Sequence, residues 1–132
     1  MILGVGTDVI SIERITKLYK KFPSAFHKKI LSPIELTKYE SFTTDSKKIK
    51  FLSSRWAAKE ALVKACGTGF RNGLYLPKLS IINNTLGRPQ IILSDNIQTI
   101  INKIFDCHNI NIHLTLSDEA FCTLAFVVIE KN

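Results

Sequence analysis

The chain has 132 residues, and its 18 Lys and Arg against 11 Asp and Glu give a formal net charge of +7. A hydrophobic share of 45% excludes intrinsic disorder, and this length suits one domain with a single core, residues 1–132. The positive charge indicates an anionic partner: a nucleic acid, an acidic membrane surface, an acidic protein or a phosphorylated small molecule. No apolar run approaches the length that spans a bilayer, so we expect neither a membrane helix nor a signal peptide.

The first predicted elements are a strand and an amphipathic helix. Residues 2–10 combine glycine with β-branched residues, which favours a strand, and Asp8 lies near its carboxyl end. The glycines of this strand indicate close packing against another element. Ser11 can cap a helix over Ile12–Phe22, where apolar residues recur at helical spacing and the other face is largely basic.

Two further helices are predicted in the middle of the chain. Ser32-Pro33-Ile34-Glu35 forms a capping box with proline in the first turn, so a helix begins there and ends near Phe42. Residues 43–48 are polar and are typical of a linker. The longest helix follows over Lys47–Cys66 and ends at Gly67.

The last third of the chain predicts two hairpins separated by a helix. Its elements are strands over 78–83 and 90–93, a helix from Ser94 to Phe105, and strands over 111–116 and 121–130. This order favours an α+β domain with a mostly antiparallel sheet packed against the long helix.

The three cysteines, Cys66, Cys107 and Cys122, are widely spaced and odd in number. This pattern is unlike a disulfide framework or a CxxC metal pair. We expect three buried free thiols in a protein of the reducing cytoplasm.

Two acidic residues, Asp8 and Glu60, lie where the pattern predicts apolar surroundings. A carboxylate in such a place requires a cation, a partner charge or a shifted pKa. One interpretation is an ordinary helical ion pair between Glu60 and Lys64, four residues later. The other is a Mg²⁺ site, in which both carboxylates bind the ion with waters and substrate phosphates, and Lys64 contacts a phosphate.

A glycine-rich loop, Gly67-Thr68-Gly69, follows the long helix. Such a loop lets backbone N–H groups approach phosphate oxygens. The same residues would equally serve as an ordinary turn that ends the helix.

Polar residues on the later strands form another candidate set. Arg88 and Pro89 lie in the turn of the first hairpin, and His113 and Thr115 alternate onto one face of a strand. His113, taken alone, is typical of a structural histidine. No spacing indicates a Ser-His-Asp or Cys-His arrangement.

Three motifs occur in one order along the chain: Gly4-Val5-Gly6-Thr7-Asp8-Val9, then Arg55-Trp56-Ala57-Ala58-Lys59-Glu60-Ala61 with Lys64-Ala65-Cys66-Gly67-Thr68-Gly69, then Gly87-Arg88-Pro89. Together they resemble the holo-[acyl-carrier-protein] synthases, the small single-domain 4′-phosphopantetheinyl transferases. The resemblance runs from Met1 to Glu130. Trp56 stands where Phe is usual in that family, and Asp118 stands where many members have His, so we assign position 118 no catalytic role.

The resemblance implies transfer of the phosphopantetheine arm of coenzyme A to a serine of apo-acyl carrier protein, with release of adenosine 3′,5′-bisphosphate. It also implies a Mg²⁺-dependent reaction that supports fatty acid synthesis. Asp8, Glu60 and Lys64 would be the catalytic residues: the two carboxylates would hold the metal, and Lys64 would contact the coenzyme A phosphates. Either Glu60 or a water near the metal would accept the serine proton.

A homotrimer with active sites between subunits is a further implication of the resemblance. The residues expected to contact coenzyme A are Gly67, Thr68 and Gly69 of one subunit, Arg88, Pro89, His113 and Thr115 of its neighbour, together with Arg55 and Lys64.

The same resemblance implies that the basic face of the first helix binds the acyl carrier protein, because acyl carrier proteins are acidic and dock there in this family. Arg14 is the position that matches. Helix spacing adds Lys17 and Lys21 to the docking surface.

Two alternatives remain at this point. A small nucleic-acid-binding domain would explain the charge but leaves Asp8 and Glu60 without a purpose, and we expect neither nucleic acid nor membrane as a partner. A noncatalytic trimeric scaffold would use the same charges only as structural ion pairs.

Overall fold

A computed structural model describes all of residues 1–132 and confirms the α+β architecture. In chain order the elements are β1 (Ile2–Ser11), α1 (Ile12–Lys21), α2 (Phe26–Ile30), α3 (Pro33–Glu40), α4 (Asp45–Cys66), a 3-10 turn (Leu76–Lys78), β2 (Ser80–Asn83), β3 (Pro89–Ile92), α5 (Asp95–Phe105), β4 (Ile110–Asp118) and β5 (Cys122–Lys131). No helix among them is long and apolar enough to cross a bilayer.

The strands form two antiparallel sheets. The main sheet has the order β1-β5-β4, and β2 pairs only with β3 in a separate hairpin. Along the central strand β5 the side chains alternate, so that Thr123, Ala125, Val127 and Ile129 are buried while their neighbours face outward. The expected antiparallel sheet is therefore confirmed, with the first hairpin standing outside it.

The long helix α4 covers the inner face of the main sheet, and glycines let it approach β1 closely. A Cβ atom at Gly6 would lie 2.0 Å from the carbonyl oxygen of Ala61 and 2.6 Å from the nitrogen of Ala65. A Cβ at Gly4 would meet the Ala65 carbonyl oxygen at 2.0 Å. Only glycine fits between these backbones, so the predicted close packing of this strand is confirmed.

Several element bounds differ from the predicted ones. The linker is shorter than expected, because the Thr44 hydroxyl accepts a bond from the Lys47 N–H and α4 begins at Asp45. Lys78 belongs to the 3-10 turn and not to a strand. Helix α2 was not predicted at all, since it has five residues and no side-chain cap.

The cysteines are all free, as predicted. Cys66 and Cys107 are buried, and burial raises the pKa of the Cys66 thiol to about 11. Cys122 is only partly buried, so the expectation of three buried thiols is wrong at that position. It lies at the exposed start of β5.

Candidate active site

Asp8 of β1 and Glu60 of α4, called the acidic pair below, both lie where the strand crosses the helix, and the two elements run in opposite directions there. Gly4 lies against Ala65, whereas Gly6, two residues later on β1, lies against Ala61, one turn earlier on α4. The next inward position of the strand is Asp8, which therefore lies beside the preceding turn of α4, the one that contains Glu60.

Lys64 bridges the strand and the helix at this place. Its Nζ lies 3.0 Å from Oδ1 of Asp8 and 3.1 Å from the carbonyl oxygen of Thr7. The ion-pair interpretation that joined Lys64 to Glu60 is therefore wrong, since the ammonium group is paired with the strand carboxylate. Because this side chain is half exposed, the pair contributes only about 0–1 kcal/mol to folding.

Glu60 is held by a different neighbour. The indole N–H of Trp56, one turn earlier on α4, donates to Oε1 of Glu60 at 3.1 Å. The guanidinium of Arg14 lies over the same indole ring, 5.0 Å from its centroid. Trp56 thus connects helix α1 to the acidic pair, a role that its core-like position in the sequence motif did not reveal.

The two carboxylates suit a hard divalent cation that keeps part of its water shell. In each, one oxygen accepts a protein hydrogen bond and the other has no protein donor. No group of three or more His, Cys, Asp and Glu side chains is present that could enclose a metal. Mg²⁺ is commonly bound by one or two carboxylates, waters and substrate phosphates, so this donor set fits it.

The loop after α4 does not offer the expected row of free amides. Gly67 N–H donates to the Lys64 carbonyl at 3.0 Å, and the N–H groups of Thr68 and Gly69 donate to the Val63 carbonyl at 3.2 and 3.4 Å. These bonds end the helix, and Gly67 and Gly69 have the left-handed backbone that this requires. These paired amides favour the alternative of an ordinary helix-ending turn over an amide cradle for phosphate, although the surface of the loop stays open, with nothing within 4 Å of a Cβ added at Gly67 or Gly69.

A basic cleft of about 470 Å³ lies between α3, α4 and the β2–β3 hairpin. Its charged lining residues are Lys38, Lys47, Lys50, Arg55 and Asp118, and Gly87 and Pro89 contribute its hairpin wall. Arg88 is exposed in the hairpin turn between them. The motifs identified Arg55 and Pro89 but missed the lysines, for which the spacing of Lys47, Lys50 and Ser54 along one face of α4 was the available signal.

Arg55 is buried in this cleft without a full set of partners. Its Nε lies 3.7 Å from Oε2 of Glu35 and makes no hydrogen bond, and a terminal nitrogen donates to Asn83 Oδ1 at 3.5 Å. The Arg55 guanidinium lies over the ring of Phe51, with Cζ 4.5 Å from the ring centroid. Burial lowers the pKa of Arg55, and the charges of Glu35 and Asp118 oppose that shift. A buried guanidinium with unused donors is suited to an anion.

His113 and Thr115 face away from the acidic pair. They lie on the outer face of β4, where Nε2 of His113 is 2.8 Å from Oε1 of Glu130, and this contact lowers the pKa of Glu130. This partner agrees with the interpretation of His113 as a structural histidine, here in an exposed pair on the sheet surface.

The predicted docking residues lie on one exposed face of α1. Arg14, Lys17 and Lys21 are all exposed, as helix spacing indicated. Lys17 forms a surface pair with Glu13 at 3.2 Å, and Lys21 lies over the ring of Phe22 at 5.4 Å. Arg14 alone of the three reaches toward the acidic pair, through Trp56.

Comparison with known proteins relates this fold to one family. The model of the 4′-phosphopantetheinyl transferase superfamily matches residues 4–124. The chain is 42% identical over 132 residues to the holo-[acyl-carrier-protein] synthase of Zymomonas mobilis, covering 98% of this chain and 97% of that protein.

Solved structures agree with the relationship. A crystal structure of the holo-[acyl-carrier-protein] synthase from Neisseria meningitidis superposes with a TM-score of 0.89 at 37% identity, covering 99% of this chain and all (100%) of that one. The Bacillus anthracis enzyme, solved in complex with CoA (3′,5′-ADP), superposes with a TM-score of 0.81 at 30% identity over 100% and 99% of the two chains. The chain therefore belongs to the holo-[acyl-carrier-protein] synthase family of the 4′-phosphopantetheinyl transferase superfamily.

Proposed function

We propose that this chain, as a single domain of residues 1–132, transfers the 4′-phosphopantetheine arm of coenzyme A to a serine of apo-acyl carrier protein. The observation that carries the proposal is the contact of Lys64 with Asp8 where β1 crosses α4, with Glu60 one helical turn before Lys64. Two carboxylates with open oxygens beside an ammonium group provide both signs of charge that a pyrophosphate and its counterion need. Membership of the family supports the same reaction.

Asp8, Glu60 and Lys64 have different roles in the proposed transfer. Mg²⁺, when bound by Asp8 and Glu60, would neutralise the pyrophosphate of coenzyme A. The Lys64 ammonium, already at the surface of this site, binds a phosphate oxygen. Glu60 or a nearby water accepts the proton as the serine oxygen attacks the pantetheine phosphorus, and the bond to adenosine 3′,5′-bisphosphate breaks.

The basic cleft is the proposed place for the adenosine bisphosphate end of coenzyme A. Arg55 and Lys64 are nine residues apart on α4, and at about 100° per residue they point to opposite sides of the helix. A coenzyme A that lies along one side of α4 in a single subunit would therefore contact only one of them. This geometry supports an active site completed by a neighbouring copy, which would bring Arg55, Arg88, Pro89, His113 and Thr115 to the acidic pair of its partner.

A homotrimer, built through the outer face of the main sheet, is part of the proposal. That face presents apolar side chains between 37% and 59% exposed: Val5, Val9, Leu124 and Phe126. Neighbouring pairs in the register, such as Val9 with Leu124, join them into one patch. Contiguous exposed apolar surface of this kind is typical of a protein interface.

The proposed setting is the cytoplasm, where the carrier would serve fatty acid synthesis. Three free thiols, two of them buried, suit a reducing compartment. The alternative of a nucleic-acid-binding domain is not supported, because the matched relatives are named holo-[acyl-carrier-protein] synthases and the matched family model is that of a transferase superfamily.

The test is to incubate the protein with coenzyme A, Mg²⁺ and an apo-acyl carrier protein and to measure the mass of the carrier. We expect a gain equal to one phosphopantetheine, abolished by a chelator and restored by added Mg²⁺. A carrier whose serine is replaced by alanine is the matched control. Failure to modify several different carriers would overturn the proposal and favour a noncatalytic scaffold.

A further inference from the structure

The only tryptophan of the chain lies between the acidic pair and the proposed docking helix. Trp56 donates its indole N–H to Oε1 of Glu60 at 3.1 Å, and the Arg14 guanidinium lies 5.0 Å from its ring centroid. Phe26 packs edge-on against the same ring, with centroids 5.9 Å apart and planes at 60°. Three side chains from α1, α2 and α4 therefore hold one indole in place.

We propose that Trp56 is a positioning residue that orients the Glu60 carboxylate for the metal and couples it to carrier docking through Arg14. The inference rests on the proposed function. It assigns to one side chain two contacts that belong to different substrates, since Glu60 faces the phosphates and Arg14 faces the carrier.

The Glu60 carboxylate is the group that Trp56 would position. A glutamate side chain has three rotatable bonds, and a half-buried one beside open space would sample several orientations. An indole N–H donates a single hydrogen bond in a fixed direction, and a bond to a charged acceptor is stronger than a neutral one. By occupying Oε1, Trp56 leaves Oε2 as the oxygen available to a cation.

The indole ring of Trp56 is the group that would couple carrier docking to metal binding. A guanidinium over an indole face is attracted to it, and the contact strengthens when water is excluded. An acidic partner that binds Arg14 would also cover the half-buried edge of Trp56. Carrier docking and metal binding therefore both change the surroundings of the same indole.

Trp56→Phe separates the two contacts, because it keeps an aromatic ring under Arg14 and removes the N–H. We expect the Mg²⁺ concentration for half-maximal activity to rise about tenfold, with a smaller fall in turnover at saturating Mg²⁺ and less than about a twofold change in KM for the carrier. Tyr19→Phe is the matched control, since it removes the hydroxyl that donates to Asp45 at 2.7 Å, a carboxylate outside the site. It should leave the Mg²⁺ requirement unchanged.

Fluorescence of the single tryptophan provides a readout that does not depend on transfer. With neither coenzyme A nor carrier present, Mg²⁺ alone should change the emission of the wild-type protein, and Glu60→Gln should abolish that response. Apo-carrier should also change the emission, and Arg14→Ala should abolish that second response while keeping the first.

The outcomes distinguish this inference from the proposed function. A half-saturating Mg²⁺ concentration within twofold of wild type in Trp56→Phe would overturn the positioning role even if transfer by the wild type is confirmed. An emission change with Mg²⁺ that persists in Glu60→Gln would overturn it as well, and this measurement stands if Trp56→Phe does not fold. Absence of transfer by the wild type, with both emission responses present, would overturn only the proposed reaction.

Discussion

Lys59 and Glu35 form a fully enclosed ion pair, with Nζ 2.5 Å from Oε1 and both side chains 0% exposed. The ammonium group has three donors, and the other two bond the carbonyl oxygens of Ile30 at 2.6 Å and Leu76 at 2.9 Å. Every donor of this buried charge is therefore satisfied. Lys59 immediately precedes Glu60 on α4.

The Glu35 carboxylate is equally well satisfied. It accepts backbone N–H bonds from Ser32 and Ile81, both at 2.9 Å, and its second oxygen lies 3.7 Å from Nε of Arg55. One carboxylate thus joins α3, α4 and β2. Because Arg55 lines the basic cleft, the same pair anchors both the helix that carries Glu60 and the guanidinium proposed to bind an anion.

Removing one member of this pair should be more damaging than removing both. Glu35→Gln leaves the Lys59 ammonium buried without an anion, which should lower the free energy of unfolding by about 3–5 kcal/mol. Glu35→Gln combined with Lys59→Met removes both charges and should be more stable than the single variant. Urea unfolding followed by circular dichroism measures both values, and a double variant that is less stable than Glu35→Gln would contradict this ranking.

Stability should rise with pH where Lys59 releases its proton. Burial lowers the pKa of Lys59 from 10.5 to about 8, although Glu35 opposes the shift. Between these two values the unfolded chain binds more protons than the folded one, so the free energy of unfolding increases with pH, by at most about 1.4 kcal/mol per unit. The cost of burying the charge is fully present below pH 8 and is relieved as the pH approaches 10.5.

The double variant Glu35→Gln/Lys59→Met is the control for this pH dependence, since it lacks the titrating amine. Urea unfolding of both proteins at several pH values from 7.5 to about 10 gives the two slopes. Wild type should have the steeper rise. Equal slopes would mean that Lys59 keeps its proton in the folded protein up to its ordinary pKa.

Helix ends could be predicted from the sequence, because the hydrogen bonds that form them join residues close together in the chain. The capping box at Ser32 and Glu35 is present with both of its hydrogen bonds, because its partners are three residues apart. The helix end at Gly67 was likewise predictable. The second function of Glu35, its bond to Lys59, joins residues that are 24 positions apart, and no periodicity reports such a contact.

The candidate site shows the same division. Asp8, Glu60 and Lys64 were all identified by residue type and motif, but their pairing depends on how β1 crosses α4. Helix spacing favoured Glu60 with Lys64, whereas the tertiary contact joined Lys64 to Asp8 and left Glu60 to Trp56. A neighbour on another element was closer than the neighbour on the same helix, and sequence alone does not contain that distance.

Neutral isosteres of the two acids should nearly abolish transfer without unfolding the protein. Asp8→Asn and Glu60→Gln keep size and hydrogen-bonding capacity but remove the charge that a divalent cation requires, so turnover should fall by at least about a hundredfold. Asp106→Asn is the matched control and should stay active, because Asp106 is the exposed residue that ends α5 and asparagine tolerates its left-handed backbone conformation. Activity within about tenfold of wild type, roughly 1.4 kcal/mol, would exclude either acid as an essential ligand.

Mixed assemblies should reveal whether a site is shared between copies. Asp8→Asn and Arg55→Gln should each be inactive alone, because one lacks a proposed metal ligand and the other lacks the buried guanidinium of the cleft. If neighbours complete each site, co-expressed trimers of the two variants should regain about a quarter of wild-type activity through sites with both native residues. Sedimentation confirms the assembly state, and no recovery in confirmed mixed trimers would mean that each subunit works alone.

Reversing the charge of Arg14 should impair use of the carrier far more than use of coenzyme A. The guanidinium lies on the exposed face of α1, so Arg14→Glu should raise KM for an acidic carrier by about tenfold through lost steering and contact. KM for coenzyme A should change by less than about twofold, because its phosphates bind elsewhere. Added salt should weaken carrier use by the wild type more than by the variant, since screening acts on an attraction that only the wild type retains. Lys103→Glu, an equal charge reversal on the exposed side of α5, is the control and should leave both KM values near wild type. Equal effects of Arg14→Glu on both substrates would remove Arg14 from the docking surface.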